Sequence, residues 1–240
     1  IISCKGMIAL KKTNVLLALA ALSAVTCAML PMLFGAVAGD APRVAYITFD
    51  DGPTLNTPNI INTLGKYNAK ATFFVLEERI VLYPDYIKQI INSGNAIGLH
   101  GVSHSLAIYS SPLSPLNEME KTNKSLEALT GRRSMLVRVP YGSSGHLSEE
   151  QGKNLESKGY KLWDWNVDPR DSVGHIVPEN VFRNMCRDLD RCEKTPVILF
   201  HDRKSTAQLL PSVLEYLTER GFKLLPLSEK MIPQNSLGLK

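Results

Sequence analysis

The sequence predicts an α/β protein, a distorted, incomplete (β/α) barrel of about seven parallel strand–helix units. Three observations carry that expectation. Short β-rich runs alternate with amphipathic stretches from Val44 to Leu225, and strict alternation favours parallel strands with helices outside. Polar residues collect just past the strands, namely Asp50, Asp51, His100, Arg138, Asp168, Asp171 and His201. In a barrel those ends converge on one mouth, whereas an open sheet would spread them along a crevice. Finally, about 200 residues remain once an N-terminal segment is set aside, slightly short of a complete eight-fold barrel.

That segment is residues 1–38. Ile1 to Gly6 read as a non-native leader before Met7. Basic Lys11-Lys12, the apolar stretch Val15 to Leu33 and Ala36-Val37-Ala38 then follow the layout of a signal peptide. An uncleaved membrane anchor is the alternative, since Val15 to Ala38 is 24 residues, long enough to span a bilayer. Pro31, Gly35 and the Ala-Val-Ala site favour cleavage. A secreted or cell-envelope protein is expected, with residues 39–240 as one catalytic domain. Three of the 27 Lys and Arg lie in 1–38, leaving 24 basic against 23 acidic residues. So balanced a domain gives no reason to infer nucleic acid as partner. Nor does the sequence call for an obligate protein partner, and a monomer is expected. Cys186 and Cys192 could pair across a short loop or stay as thiols; their spacing fits no zinc knuckle or redox pair.

The elements follow in order. Val44–Phe49 reads as a strand, then Thr57–Tyr67 as a helix with Pro58 in its first turn. Ala71–Leu76 is a strand and Pro84–Asn92 a helix closed by Gly94. Ala96–Leu99 is a short strand and Leu116–Leu129 a helix ending at Gly131. Leu136–Arg138 is a strand. Ser148–Lys158 is a helix with Ser148 as N-cap and Gly159 as its stop. Tyr160–Asn166 is a strand and Pro178–Leu189 a helix. Val197–Phe200, the helix Gln208–Glu219 and the strand Phe222–Leu225 complete the chain.

The most informative residues are Asp50 and Asp51, adjacent carboxylates after the apolar run Val44–Ile47. Neighbours in an extended segment point to opposite sides, so one can bind a metal while the other handles a proton. His100 and His104, spaced i, i+4 among small residues, could face one side on a helical turn or tight loop. With Asp51 they make two imidazoles and a carboxylate, a donor set that leaves a catalytic zinc an open position. The competing reading is a pair of loop histidines without metal. One divalent ion is expected, with zinc, cobalt and nickel all compatible. Asp50 remains free as a general base. Arg138 either holds Asp50 or makes an ordinary surface salt bridge. Pro140 and Gly142 set an unusual backbone path that would turn the Tyr141 N–H towards an oxyanion. His201 needs a polar partner, and Asp171 is the candidate that would keep it protonated as an acid; the competing reading is a structural histidine at a strand end. His146 and His175 read as solvated. Trp163 and Trp165 should share a face, where core packing competes with stacking on a sugar.

Thr48-Phe49-Asp50-Asp51-Gly52-Pro53, His100-x-x-x-His104, Arg138-x-Pro140-Tyr141-Gly142, Asp168-x-x-Asp171 and Leu199-x-His201-Asp202 stand in the order of the NodB-like polysaccharide deacetylases. The resemblance to these family-four carbohydrate esterases runs from Val44 to Leu227. It implies a distorted barrel and metal-dependent removal of acetyl groups from N- or O-acetylated sugars. By the same resemblance Asp50 is the base, and Asp51, His100 and His104 are the metal ligands. Arg138 orients the base, Tyr141 donates its backbone N–H, and His201 is the acid with Asp171 as its partner. Leu199 resembles the residue lining an acetyl-methyl pocket, with Pro140, Tyr141 and Trp165 as further substrate contacts. Gly101 departs from a usual Ser or Thr, Val139 from a frequent Pro, and Ser172 from a common Trp. The expected activity is N-deacetylation of N-acetylglucosamine-type residues in a cell-wall polysaccharide, peptidoglycan or chitin-like. Alternatives are an O-acetyl esterase on xylan, a small-amide hydrolase, or a catalytically silent sugar-binding protein.

Overall fold

The computed structural model describes residues 43–172 and 177–239. The expected signal or anchor and His175 lie outside the described residues. The chain begins β1 (Arg43–Gly52), α1 (Thr57–Lys66), β2 (Ala71–Val75), α2 (Glu77–Leu82), α3 (Pro84–Asn92) and β3 (Ala96–Leu99). A 3-10 turn (Leu106–Tyr109), α4 (Ser114–Thr130), β4 (Leu136–Val137), α5 (Glu149–Ser157) and β5 (Lys161–Leu162) follow. The last elements are α6 (Pro178–Asp190), β6 (Val197–His201), α7 (Lys204–Glu219) and β7 (Phe222–Leu224).

The punctuation expected from sequence works as chemistry. Ser148 and Gln151 form a reciprocal capping box at α5, each side chain bonding the other's backbone N–H. Gly131 ends α4 at φ 70°, where a side chain would be strained. Two elements and two boundaries depart most from expectation. The six-residue α2 and the 3-10 turn are too short to show a hydrophobic period. α7 starts at Lys204, ahead of Gln208, with no side-chain cap to mark it. β5 stops at Leu162; the Trp163 amide still reaches the Val137 carbonyl of β4 at 2.8 Å, and the amides beyond it turn elsewhere. Asp164 donates to the Gln234 carbonyl at 2.7 Å and Asn166 to that of Val197 at 3.1 Å.

All pairings are parallel, in the order β5-β4-β3-β2-β1-β6, with β7 beside the start of β1. Strands one to five therefore add in sequence on one side of β1, and β6 takes the other side. The free ends then meet. Val167, just past β5, makes an isolated parallel bridge with Ile198 of β6. The sheet is a barrel closed at that seam by one bridge, the incomplete (β/α) barrel the sequence predicts.

Alternation sorts the strands into two cores. Ala45, Ile47, Phe49, Phe73, Val75, Leu99, Val137, Ile198 and Phe200 pack outward in one cluster with helix residues such as Ile60, Ile87 and Leu214. Phe74, Leu136, Trp163, Val197 and Leu227 form a second, smaller cluster, which fills the lumen. Gly98 faces the Phe74 ring so closely that a Cβ there would lie 2.3 Å from it. Cys186 and Cys192 are half-buried free thiols.

Candidate metal centre and active site

Strand phase alone brings the proposed residues together. Phe49, Leu99, Val137 and Phe200 face the helices, so Asp50, His100, Arg138 and His201, each one residue further on, turn into the lumen. In register, Asp50 lies beside Phe74 on β2 and His201 on β6.

Asp51 breaks that phase. The β1–β2 pairing slips between Asp50 and Gly52, and Asp51 adopts φ 67°. The expectation that the two carboxylates point to opposite sides is corrected by this bulge. Asp50 Oδ2 and Asp51 Oδ1 instead lie 3.7 Å and 3.5 Å from the same atom, His100 Nε2. The bulge is held from behind by Asp202, quoted above only as part of a motif. Its buried carboxylate accepts the Thr54 hydroxyl at 2.8 Å and that of Thr57 at 2.5 Å. A Cβ on Gly52 would come within 2.7 Å of Asp202 Oδ2. Burial raises the Asp202 pKa, against the lowering effect of those threonine bonds. The Thr54-x-x-Thr57 spacing was the one sequence signal for this arrangement.

Asp51, His100 and His104 form a cluster that could hold a metal ion. One donor atom from each lies within 4.8 Å of the others, and Asp51 Oδ1 stands 3.5 Å from both Nε2 atoms. The histidines sit on a loop, not a helical turn; His104 has φ 56°. Two observations test whether a cation fits. Asp51 Oδ1 is buried without a hydrogen-bond partner, a costly state for a carboxylate unless something positive meets it. His100 Nδ1 bonds the Arg138 carbonyl at 2.6 Å, so that nitrogen carries the proton and Nε2 keeps its lone pair. Burial lowers the His100 pKa despite the charges of Asp50 and Asp51, which favours the neutral ligand form. The residues fit a divalent ion.

Beside the cluster, Arg138 is fully buried, which removes the surface salt bridge as a reading. Its Nη1 donates to Asp50 Oδ1 at 2.9 Å and to Thr48 Oγ1 at 2.7 Å. Nε and Nη2 donate to the Trp163 and Asp164 carbonyls, both at 3.1 Å. The guanidinium lies 4.2 Å over the Phe74 ring. The Asp50 carboxylate is thus fixed by a cation that has nowhere else to go.

Across β1, His201 Nδ1 bonds Asp171 Oδ1 at 2.7 Å. Asp171 is itself pinned through Oδ2 by the His201 amide and the Thr206 hydroxyl. Burial works to lower the His201 pKa, but the Asp171 bond and charge, aided by Asp50 and Asp51, outweigh it and raise it. Asp168 instead accepts the Arg170 amide at 2.8 Å in its own turn.

The Tyr141 turn forms the rim. Gly142 donates to the Val139 carbonyl at 3.1 Å, and Tyr141 takes φ 66°. That closing bond leaves the Tyr141 amide out of the turn's own bonding. The Pro140 carbonyl accepts the Tyr109 hydroxyl. The half-exposed Tyr141 ring meets His104 edge-on at 4.5 Å. His146 is exposed, as expected, and stacks on Tyr109 at 5.8 Å. Leu199 is buried on the inner phase of β6. Trp163 is buried in the lumen, and Trp165 only partly. Trp165 instead lines a cleft of about 730 Å³ with Tyr141, Asn166, Lys194, Ile232 and Gln234. The cleft excludes the metal ligands but joins their rim at Tyr141.

Known proteins resemble this chain in sequence and in fold. A family model described as polysaccharide deacetylase matches residues 38–163. The chain is 31% identical over 195 residues to a peptidoglycan-N-acetylglucosamine deacetylase of Bacillus cereus, covering 77% of this chain and 69% of that one. It is 33% identical to the peptidoglycan-N-acetylmuramic acid deacetylase PdaC of Bacillus subtilis, over 78% of this chain and 38% of that protein. Among solved structures, the polysaccharide deacetylase Bc1974 of Bacillus cereus superposes with a TM-score of 0.74 at 30% identity, covering 81% of this chain and 97% of that one. With matches this extensive in both sequence and fold, the chain belongs to the polysaccharide deacetylase family.

Proposed function

We propose that this protein removes N-acetyl groups from N-acetylglucosamine-type residues of peptidoglycan, releasing acetate. The observation that carries the reading is the meeting of Asp51, His100 and His104 beside an Asp50 locked by buried Arg138. Relatives named as peptidoglycan deacetylases support the substrate class, and the cleft beside Tyr141 offers room for neighbouring units of a polymer. Asp51, His100 and His104 would hold the ion, taken as zinc, with cobalt and nickel also compatible with this donor set. When bound, such an ion polarises a carbonyl and lowers the pKa of water from about 15.7 to about 7.

The chain's own groups account for the proton movements. Asp50 accepts a proton as water oxygen bonds to the acetamide carbon. The Tyr141 N–H donates to the oxygen that gains charge. His201, kept protonated by Asp171, delivers its proton to the nitrogen as the C–N bond breaks. Acetate and a free amine result, and Asp50 returns its proton to solvent or to the His201 side. Leu199, Pro140 and Trp165 are assigned to holding the substrate. We read residues 1–38 as an export signal that brings the domain to the cell wall.

The test is acetate release from purified peptidoglycan, chitooligosaccharide and acetylxylan, with products identified by mass spectrometry. Wild-type enzyme with zinc is expected to act on the first. Asp50→Asn should lose about 10²–10⁴ in rate while still binding zinc. Near-normal turnover by Asp50→Asn would refute the base assignment, and ester cleavage alone would refute the amide substrate.

A further inference from the structure

The segment joining the two ligand histidines is neither helix nor strand, yet its backbone is gripped from two helices. The Gly101 carbonyl accepts the Glu77 amide at 3.0 Å, and that of Val102 accepts the Glu78 amide at 3.2 Å. Both donors belong to the first turn of α2, where N–H groups lack partners within the helix. From α4, the Thr122 hydroxyl donates to the Gly101 carbonyl at 2.9 Å. The Val102 amide donates to Glu118 Oε2 at 2.9 Å. Glu118 and Thr122 stand four residues apart, so one face of α4 presents both groups.

The fit is tight. Gly101 has φ 89°, and a Cβ there would lie 2.9 Å from Glu118 Oε2 and 3.3 Å from Ile108. The two ligands differ in how they are fixed. His100 is buried at the end of β3 and tied by Nδ1 to the Arg138 carbonyl. The His104 side chain is 27% exposed and is carried by this loop, with the Tyr141 ring against it and the Tyr141 hydroxyl donating to its carbonyl at 3.3 Å. Slack in the loop therefore becomes error in where His104 points.

We propose that Glu118, assisted by Thr122, is a positioning residue that sets His104 against His100 and so tunes the affinity of the site for a divalent cation. The inference rests on Asp51, His100 and His104 being the metal ligands. Glu118 acts as the acceptor for one loop amide and touches no ligand ring; partners bonded to the ligands themselves typically tune metal affinity about 10–100-fold, so the lower end of that range is expected here.

The experiment is a zinc titration of the purified protein by competition with a chelating dye. It compares wild type, Glu118→Ala, Glu118→Gln, Thr122→Val and, as a control on the same helix, exposed Lys124→Ala. Thermal midpoints of the metal-free forms separate loosened ligands from general destabilisation. Glu118→Ala is expected to bind zinc about tenfold more weakly, with its activity curve displaced to higher zinc. Glu118→Gln keeps an acceptor oxygen and should recover most of the loss. Thr122→Val should shift in the same direction by less, and serves if Glu118→Ala does not fold. Lys124→Ala should match wild type. Equal zinc affinity in wild type and Glu118→Ala overturns the proposal alone, as does a Gln variant no better than Ala. Wild type that binds no zinc overturns the ligand assignment and the proposal together.

Discussion

At the scale of single residues, His201 and Asp171 give the sharpest expectation. A general acid must be protonated, and Asp171 raises the His201 pKa against burial. Activity should therefore persist above the ordinary histidine range and fall as pH rises through the raised value. The same pair contributes stability that is fully present below the unfolded pKa of about 6.5 and is lost through that upper window. In Asp171→Asn the largest raising influence is weakened while burial still lowers the pKa. The alkaline limb of kcat against pH should move to lower pH, and an unmoved limb would disprove the pairing as the source of the acid. Legibility differed from residue to residue. Asp50, His100, Arg138 and His201 could be read because each follows an apolar strand whose alternation fixes its direction. Asp51 was read as a ligand, but its path was not, since a bulge with positive φ has no period. Asp202 and Glu118 gave almost no signal, because a carboxylate that holds a distant loop looks like any other surface acid until the loop is in place.

At the scale of elements, the lumen face constrains the strands more than the helix face does. Gly98 lies opposite Phe74, and Phe74 carries the Arg138 guanidinium on its ring. Gly98→Ala would push a methyl group into that ring and force Phe74 or β3 to shift. A cost of about 1–3 kcal/mol is expected from such overpacking, measurable by denaturant unfolding, together with lower turnover because Arg138 and Asp50 move with Phe74. The helices with strong punctuation, α3 between Pro84 and Gly94 and α5 behind its capping box, were placed from sequence to within a residue. The elements that sequence missed or misjudged are those fixed by tertiary bonds. β5 ends where the Gln234 carbonyl takes the Asp164 amide, a contact 70 residues away in sequence that no local pattern encodes.

At the scale of the whole molecule, the proposed metal ligands come from the ends of β1 and β3, so an ion held there would tie strands on either side of β2. An ion that binds only the folded chain stabilises it by mass action, about 2.7 kcal/mol at a hundredfold excess over Kd. Thermal unfolding followed with and without zinc should show a rise in midpoint that Asp51→Asn abolishes; a midpoint indifferent to zinc would contradict the ligand set. The barrel itself was legible because helices alternate with strands and every polar candidate falls at a strand's C-terminal end. Its incompleteness was foreseen from length alone, and the position of the gap was not. That gap decides how a long chain can approach. Closure rests on the short Asn166–Val167 segment, which bridges to Ile198 and bonds Val197 through the Asn166 amide and side chain, and the cleft lined by Asn166 and Lys194 runs along that same flank up to Tyr141. A saccharide strand can lie sideways in such a trough and offer a unit from its middle, with no need to thread a terminus, so the modified sugars should be scattered through the interior of the wall polymer.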